Sequence, residues 1–219
     1  MTSVERKLLK KDTFGTVYHC ADGDDQWIER NIRAAAWWAR PVARWLLGRE
    51  ARALGRLSAH GGFSRLRSVS RFDLARDYLD GAPMYAAKPH SVEYFRDARR
   101  QLKRLHRAGI AHNDLAKEPN WLVRADGSAA IIDFQLASLF RRRSARFRWQ
   151  AREDIRHFLK HKRTYLPDCL TARERRILAT PSPASRVYHA TLKRAYLWLT
   201  RRVLHWSDRE GAGDRGRID

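Results

Sequence analysis

Cysteine is nearly absent from this chain. It holds two in 219 residues, Cys20 and Cys169, far apart and without metal-ligand spacing. A disulfide-dense scaffold and a cysteine-ligated zinc centre are therefore excluded; a single bridge stays open but unsupported, and a reducing compartment fits better. Long apolar runs are also missing, so no segment reaches the ~20 residues needed to span a bilayer. The start, Met1-Thr-Ser-Val-Glu-Arg, lacks the apolar stretch of a secretory signal. The expected location is the cytoplasm. Acid is scarce too: 24 Asp and Glu stand against 45 Lys and Arg, a formal net charge of +21, which implies an anionic partner. No internal repeat is visible. Hydrophobic content of 43% argues against global disorder, and 219 residues suffice for one compact domain or a very small two-lobed unit.

What is present concentrates between His112 and Phe134. The stretch reads His-Asn-Asp-Leu-Ala-Lys-Glu-Pro-Asn, then Trp-Leu-Val, and closes on Ile-Ile-Asp-Phe. Phe95, Ala98, Leu102 and Leu105 fall at helical spacing, which predicts an amphipathic helix over 91–108 with Gly109 as its stop. Ile110 and Ala111 suit a short strand. Trp121 to Val123 and Ala129 to Ile132 flank Ala125-Asp-Gly-Ser128, where Asp-Gly signals a hairpin turn. A folded hairpin would gather Asp114, Asn120 and Asp133 around one point. Two carboxylates and one amide oxygen could hold Mg²⁺ and a phosphate chain while a hydroxyl is oriented for attack. The plainer reading is an ordinary hairpin whose Asp and Asn residues cap turns.

The same order, a His-x-Asp loop, a downstream Asn and then Asp-Phe, resembles the protein-kinase-like superfamily, in particular small bacterial lipopolysaccharide-core sugar kinases and RIO-type kinases. The resemblance implies an α+β, minimal two-lobed fold: a small antiparallel β N-lobe with one helix (1–80), a mostly helical C-lobe (81–206) and a disordered tail (207–219). It implies ATP and Mg²⁺ as cofactors, Asp114 as catalytic Asp, Lys117 near the transferred phosphate, and Asn120 and Asp133 as metal ligands. His112 would pack the loop against the Asp-Phe segment. Asp154, in a helix expected over 151–162, would brace the catalytic loop or simply favour a helix N-terminus. Three departures stand out. Asp114 and Asn120 are one residue further apart than usual, Gln135 replaces the Gly after Asp-Phe, and no Ala-Pro-Glu follows.

The N-terminal part carries thinner signals. Leu8 to His19, a turn at 22–25 and Gln26 to Ile32 read as a small antiparallel sheet. Of a glycine-rich loop only Gly15 is present, within Lys11-Asp-Thr-Phe-Gly-Thr-Val17. By resemblance Arg30 takes the place of the nucleotide lysine; a surface arginine is the alternative. Pro41 can open a helix running to about Leu57, with Leu46, Leu54 and Leu57 on the face that carries Glu50. Glu50 would pair with Arg30, or with Arg49 or Arg52. The segment 72–81 reads as the inter-lobe hinge, with adenine near Leu74 to Leu79.

Beyond the motif, Thr171-Ala-Arg-Glu174 is a capping box, and 185–206 reads as a long basic helix. Arginines interleave with Trp37, Trp38 and Trp45, a pattern that suits an anionic membrane surface or RNA, although each tryptophan taken alone reads as core. The leading function is transfer of the ATP γ-phosphoryl to a hydroxyl of a protein Ser/Thr or a lipopolysaccharide-core sugar. The expected partners are ATP and a phosphorylated glycolipid or acidic protein, with peripheral membrane association and RNA both open, and the expected state is a monomer. The alternatives are a catalytically weak kinase-like binding module and a basic nucleic-acid-binding protein.

Overall fold

The computed structural model describes residues 4–180. The chain opens with β1 (Glu5–Asp12), β2 (Gly15–Asp22) and β3 (Asp25–Asn31). They are joined by tight turns at Thr13-Phe14 and Gly23-Asp24. After α1 (Arg40–Leu57), β4 (Leu66–Val69) and β5 (Asp73–Asp77) complete an antiparallel five-stranded sheet of order β1-β2-β3-β5-β4. A two-residue β6 (Ala82–Pro83) and a single turn, α2 (Met84–Ala87), lead into the helical part. There α3 (Val92–Arg107), β7 (Ile110–Ala111), β8 (Trp121–Val123), β9 (Ala129–Ile131), β10 (Ser138–Leu139), α4 (Ala145–Tyr165) and α5 (Ala172–Ala179) follow in order. The expected antiparallel sheet with one helix, followed by a mostly helical region, is the architecture observed.

Most local expectations hold. Helix α3 starts on Ser91, whose side chain accepts from the Tyr94 N–H, and ends before Gly109 at φ 71°. Its buried stripe is Tyr94, Phe95, Ala98, Leu102 and Leu105. The β8–β9 hairpin turns at Gly127, φ 76°, with Asp126 accepting from Ser128. Thr171 and Glu174 form the reciprocal capping box.

Four readings change. Leu8 to His19 is two strands, split at Thr13-Phe14. On α1 the buried stripe is Ala43, Leu47, Glu50, Leu54 and Leu57, so Leu47 takes the place assigned to Leu46. The hinge is shorter than 72–81, because residues 73–77 pair with β3 and only 78–81 link the sheet to the helical part. Helix α4 begins at Ala145, capped by Ser144, so Asp154 lies in its interior and no longer reads as an N-terminal favourite. The expected helix at 185–206 and the tail lie outside the described residues.

His157 on α4 offers a stability test. Burial, reinforced by Lys160, holds its imidazole down at about 4. The unfolded chain then binds more protons than the folded one between pH 6.5 and 4, so its contribution is complete above 6.5 and is lost as pH falls through that window. We expect a loss on the order of 2 kcal/mol, discounted for its partial exposure. Denaturant titrations at pH 7 and pH 4.5 check this, and His157→Gln should flatten the difference.

Candidate active site

The loop after β7 is fixed from beneath by Asp154. Its buried carboxylate accepts the His112 N–H at 2.8 Å and the Asn113 N–H at 2.9 Å, and His106 Nε2 lies 3.1 Å away. Helix α4 thus takes up two backbone donors that a tight loop would otherwise leave unpaired. Asn113 sits at φ 67°, and its amide reaches the Leu136 carbonyl at 2.9 Å. His112 Nε2 contacts the Ile132 carbonyl at 3.0 Å and its ring packs on Phe134, the tethering role expected of it. Asp154→Asn sets an amide N–H donor against one of the two loop N–H donors and should cost about 1.5–3 kcal/mol. A denaturant melt checks the figure; an unchanged midpoint would remove Asp154 as the brace.

Three hydrogen bonds then position the polar trio. Asn120, at the end of a 3₁₀ turn over Glu118–Asn120, donates its amide to the Asp114 carbonyl at 2.8 Å and to Asp114 Oδ2 at 3.0 Å. The Asn120 carbonyl accepts the Ile132 N–H at 3.1 Å, so the residue before Asp133 is tied to Asn120. Asp114 and Asp133 are therefore linked through one shared neighbour. Lys117 Nζ stands 3.2 Å from Asp114 Oδ2.

Asp133 adopts φ 64°, a left-handed backbone that non-glycine residues rarely take and that recurs at functional sites. Its side chain is 37% exposed. Arg30 reaches toward it, with Nη2 4.0 Å from Asp133 Oδ1. Arg30 also stands 3.1 Å from Glu50 Oε2, while Arg76 stands 3.3 Å from Glu50 Oε1. Glu50 is fully buried, and neither contact has hydrogen-bond geometry. Its carboxylate is held by charge between two guanidinium groups, a buried arrangement that is strongly destabilising to break. Gln135, with its amide oxygen turned inward, accepts from Arg30. Gln135 thus steadies Arg30, whose Nε also faces Glu50 Oε2. Arg49 and Arg52, the other partners considered for Glu50, bind backbone carbonyls instead.

Gly15, at φ 129°, has a structural cause of its own: a Cβ there would run into the Asn31 carbonyl oxygen. Its turn is a tight two-residue hairpin whose Phe14 N–H is bound by Asp12 Oδ1 at 2.9 Å, and Lys10 pairs with Asp12 at 2.8 Å. Leu74 is sealed in the core, so it offers no surface for adenine. An open cleft of about 560 Å³ beside the linker holds none of the trio. Its Asp and Arg walls pair with each other, as in Arg67 with Asp25 at 2.6 Å.

The donor set suits Mg²⁺. Asn120 spends its amide hydrogens on Asp114, and its oxygen accepts from no protein group among the described residues. A metal of this kind is held by one or two carboxylates together with substrate phosphates. No group of three or more His, Cys, Asp or Glu suited to a metal occurs among the described residues. Sequence reasoning missed Arg76 altogether, and missed the contacts that Gln135 makes with Arg30 and Asn113 with Leu136. Arg76 was detectable as the inward-facing charge in the alternation of β5.

The fold is protein-kinase-like. The Rio2 kinase from Chaetomium thermophilum, solved as an ADP/Mg²⁺-phosphoaspartate complex, superposes with a TM-score of 0.58 at 16% identity, over 86% of this chain. The chain spans 66% of that structure's length. No protein-family profile matches the sequence, and no curated protein does.

Proposed function

We propose that the chain is an ATP-dependent phosphotransferase acting on a hydroxyl of an anionic acceptor, a lipopolysaccharide-core sugar or a protein Ser/Thr. The observation that carries the reading is Asn120, whose side chain binds Asp114 and whose carbonyl binds the residue before Asp133. The likeness to a structure that holds ADP and Mg²⁺ supports it.

In this reading Asp133 and Asn120 hold Mg²⁺, which when bound neutralises phosphate oxygens. Arg30, aimed by Glu50 and Gln135, grips the nucleotide phosphates. Asp114 orients the acceptor hydroxyl and takes its proton as the new O–P bond forms and the bond to the ADP oxygen breaks. Lys117 offsets charge on the phosphoryl group in transfer. The tight Thr13-Phe14 hairpin favours a second reading, a nucleotide-binding module with little turnover.

Incubation with labelled ATP and Mg²⁺, alongside separate protein and lipopolysaccharide fractions, tests both. Label in one fraction establishes transfer and acceptor class. Binding of Mg²⁺-ATP without transfer supports the module, and neither binding nor transfer overturns the proposal.

A further inference from the structure

The tryptophans that read as core are largely outside it. Trp37, Trp38 and Trp45 are 80%, 50% and 52% exposed, and Val42 beside them is 47% exposed. Soluble proteins seldom gather large apolar groups this way without a partner. On α1, Val42, Trp45, Arg49, Arg52 and Arg56 recur at three- and four-residue intervals and so form one stripe. Trp37 and Trp38 lie just ahead of it.

This stripe continues into a second element. Arg56 donates to the Phe140 carbonyl at 3.0 Å, and Arg49 donates to the carbonyls of Leu136 and Ala137 at 2.8 and 3.0 Å. Burial first, then the nearby Arg52 and Arg146, depresses the Arg49 cation. The outer side of α1 and the start of α4 are therefore one surface. Its charge has one sign: from 134 to 152 there are six arginines and no acid, and from 40 to 56 five arginines and a single acid, the buried Glu50. A hollow of about 170 Å³ lined by Arg56, Arg107, Arg141, Arg142 and Arg143 lies within it.

We propose that this face docks on an anionic lipid bilayer, with the tryptophans and Val42 at headgroup depth and the arginine hollow taking lipid phosphate. Crowded like charges repel, and an anionic surface relieves that repulsion. Trp is the side chain suited to the interface, apolar in body and polar at one edge. RNA would need open aromatic faces for its bases. Here the Arg49 guanidinium already covers one face of Trp45 at 4.4 Å, and aliphatic Val42 offers nothing to stack on. The patch as a whole therefore suits a headgroup layer better than a run of bases, and RNA competition tests the open Trp37 and Trp38 rings. Because Arg49 grips Leu136 and Ala137, just after Asp133, the docked face borders the candidate active site. That consequence for acceptor choice rests on the phosphotransferase reading; docking itself does not.

Sedimentation of the full chain with phosphatidylcholine vesicles, with and without phosphatidylglycerol and without nucleotide, tests the proposal. The expected result is binding to the anionic vesicles alone, a blue shift of tryptophan emission on binding, and no displacement by single-stranded RNA. Each basic group near an anionic surface strengthens partitioning about fivefold, so Arg142→Ala with Arg143→Ala should weaken it roughly 25-fold. Trp37→Ser with Trp38→Ser should also weaken it, at unchanged thermal midpoint. Equal binding to neutral vesicles, no binding at ~0.1 M salt, no emission shift, or displacement by RNA would overturn it. Phosphoryl transfer, assayed separately without lipid, can fail or succeed independently.

Discussion

Asp133→Asn should abolish Mg²⁺-dependent turnover, by more than roughly 10³-fold, because several kcal/mol of charge stabilisation would be lost with the ligand. Asn is the informative replacement. Like Asp, it tolerates the left-handed backbone that φ 64° imposes, whereas Ala would add strain of about 1–3 kcal/mol. The side chain is partly exposed and its contacts are long, 4.0 Å to Arg30 and 3.5 Å to the Gln135 N–H, so the fold should survive. Turnover and thermal midpoint measured together separate the cases. A parent-like rate in a folded variant removes Asp133 from the site.

Asp114→Asn should lower turnover by roughly 10²–10⁴, the usual worth of a positioned proton acceptor. Its shape is nearly that of Asp, so the loop should keep its bond from Asn120. The loss should fall on kcat, with nucleotide affinity nearly unchanged, since Asp114 faces the acceptor in this scheme. Steady-state kinetics together with nucleotide titration give that split. A rate equal to the parent's means that another group orients the hydroxyl.

Local signals in the sequence were enough for α3, the β8–β9 hairpin and the strand carrying Arg30, because periodicity, Ser91 and the Asp-Gly turn act over a few residues. The pairing of Arg30 with Glu50 was legible for a different reason: a carboxylate on a buried stripe requires a cation. Whether that stripe used Leu46 or Leu47 was not, since the rotation of α1 is set by the sheet it packs on. Arg76 and Gln135 escaped because their partners come from distant strands and loops. The start of α4 was hidden by an arginine-rich stretch in which apolar periodicity is weak, and Ser144 marks it only once the helix is seen. Tryptophan exposure depends on what covers α1, and no local pattern encodes that.

The decisive measurement is a crystal structure of the chain with Mn²⁺ and a non-hydrolysable ATP analogue, with the metal located by its anomalous scattering. The central claim is that Asp133 and Asn120 share one divalent cation next to Asp114. It predicts a metal peak roughly 2.0–2.2 Å from oxygens of Asp133 and Asn120, with the γ-phosphate facing the Asp114 carboxylate. A metal bound elsewhere, or nucleotide held with the two aspartates pointing apart, would contradict it.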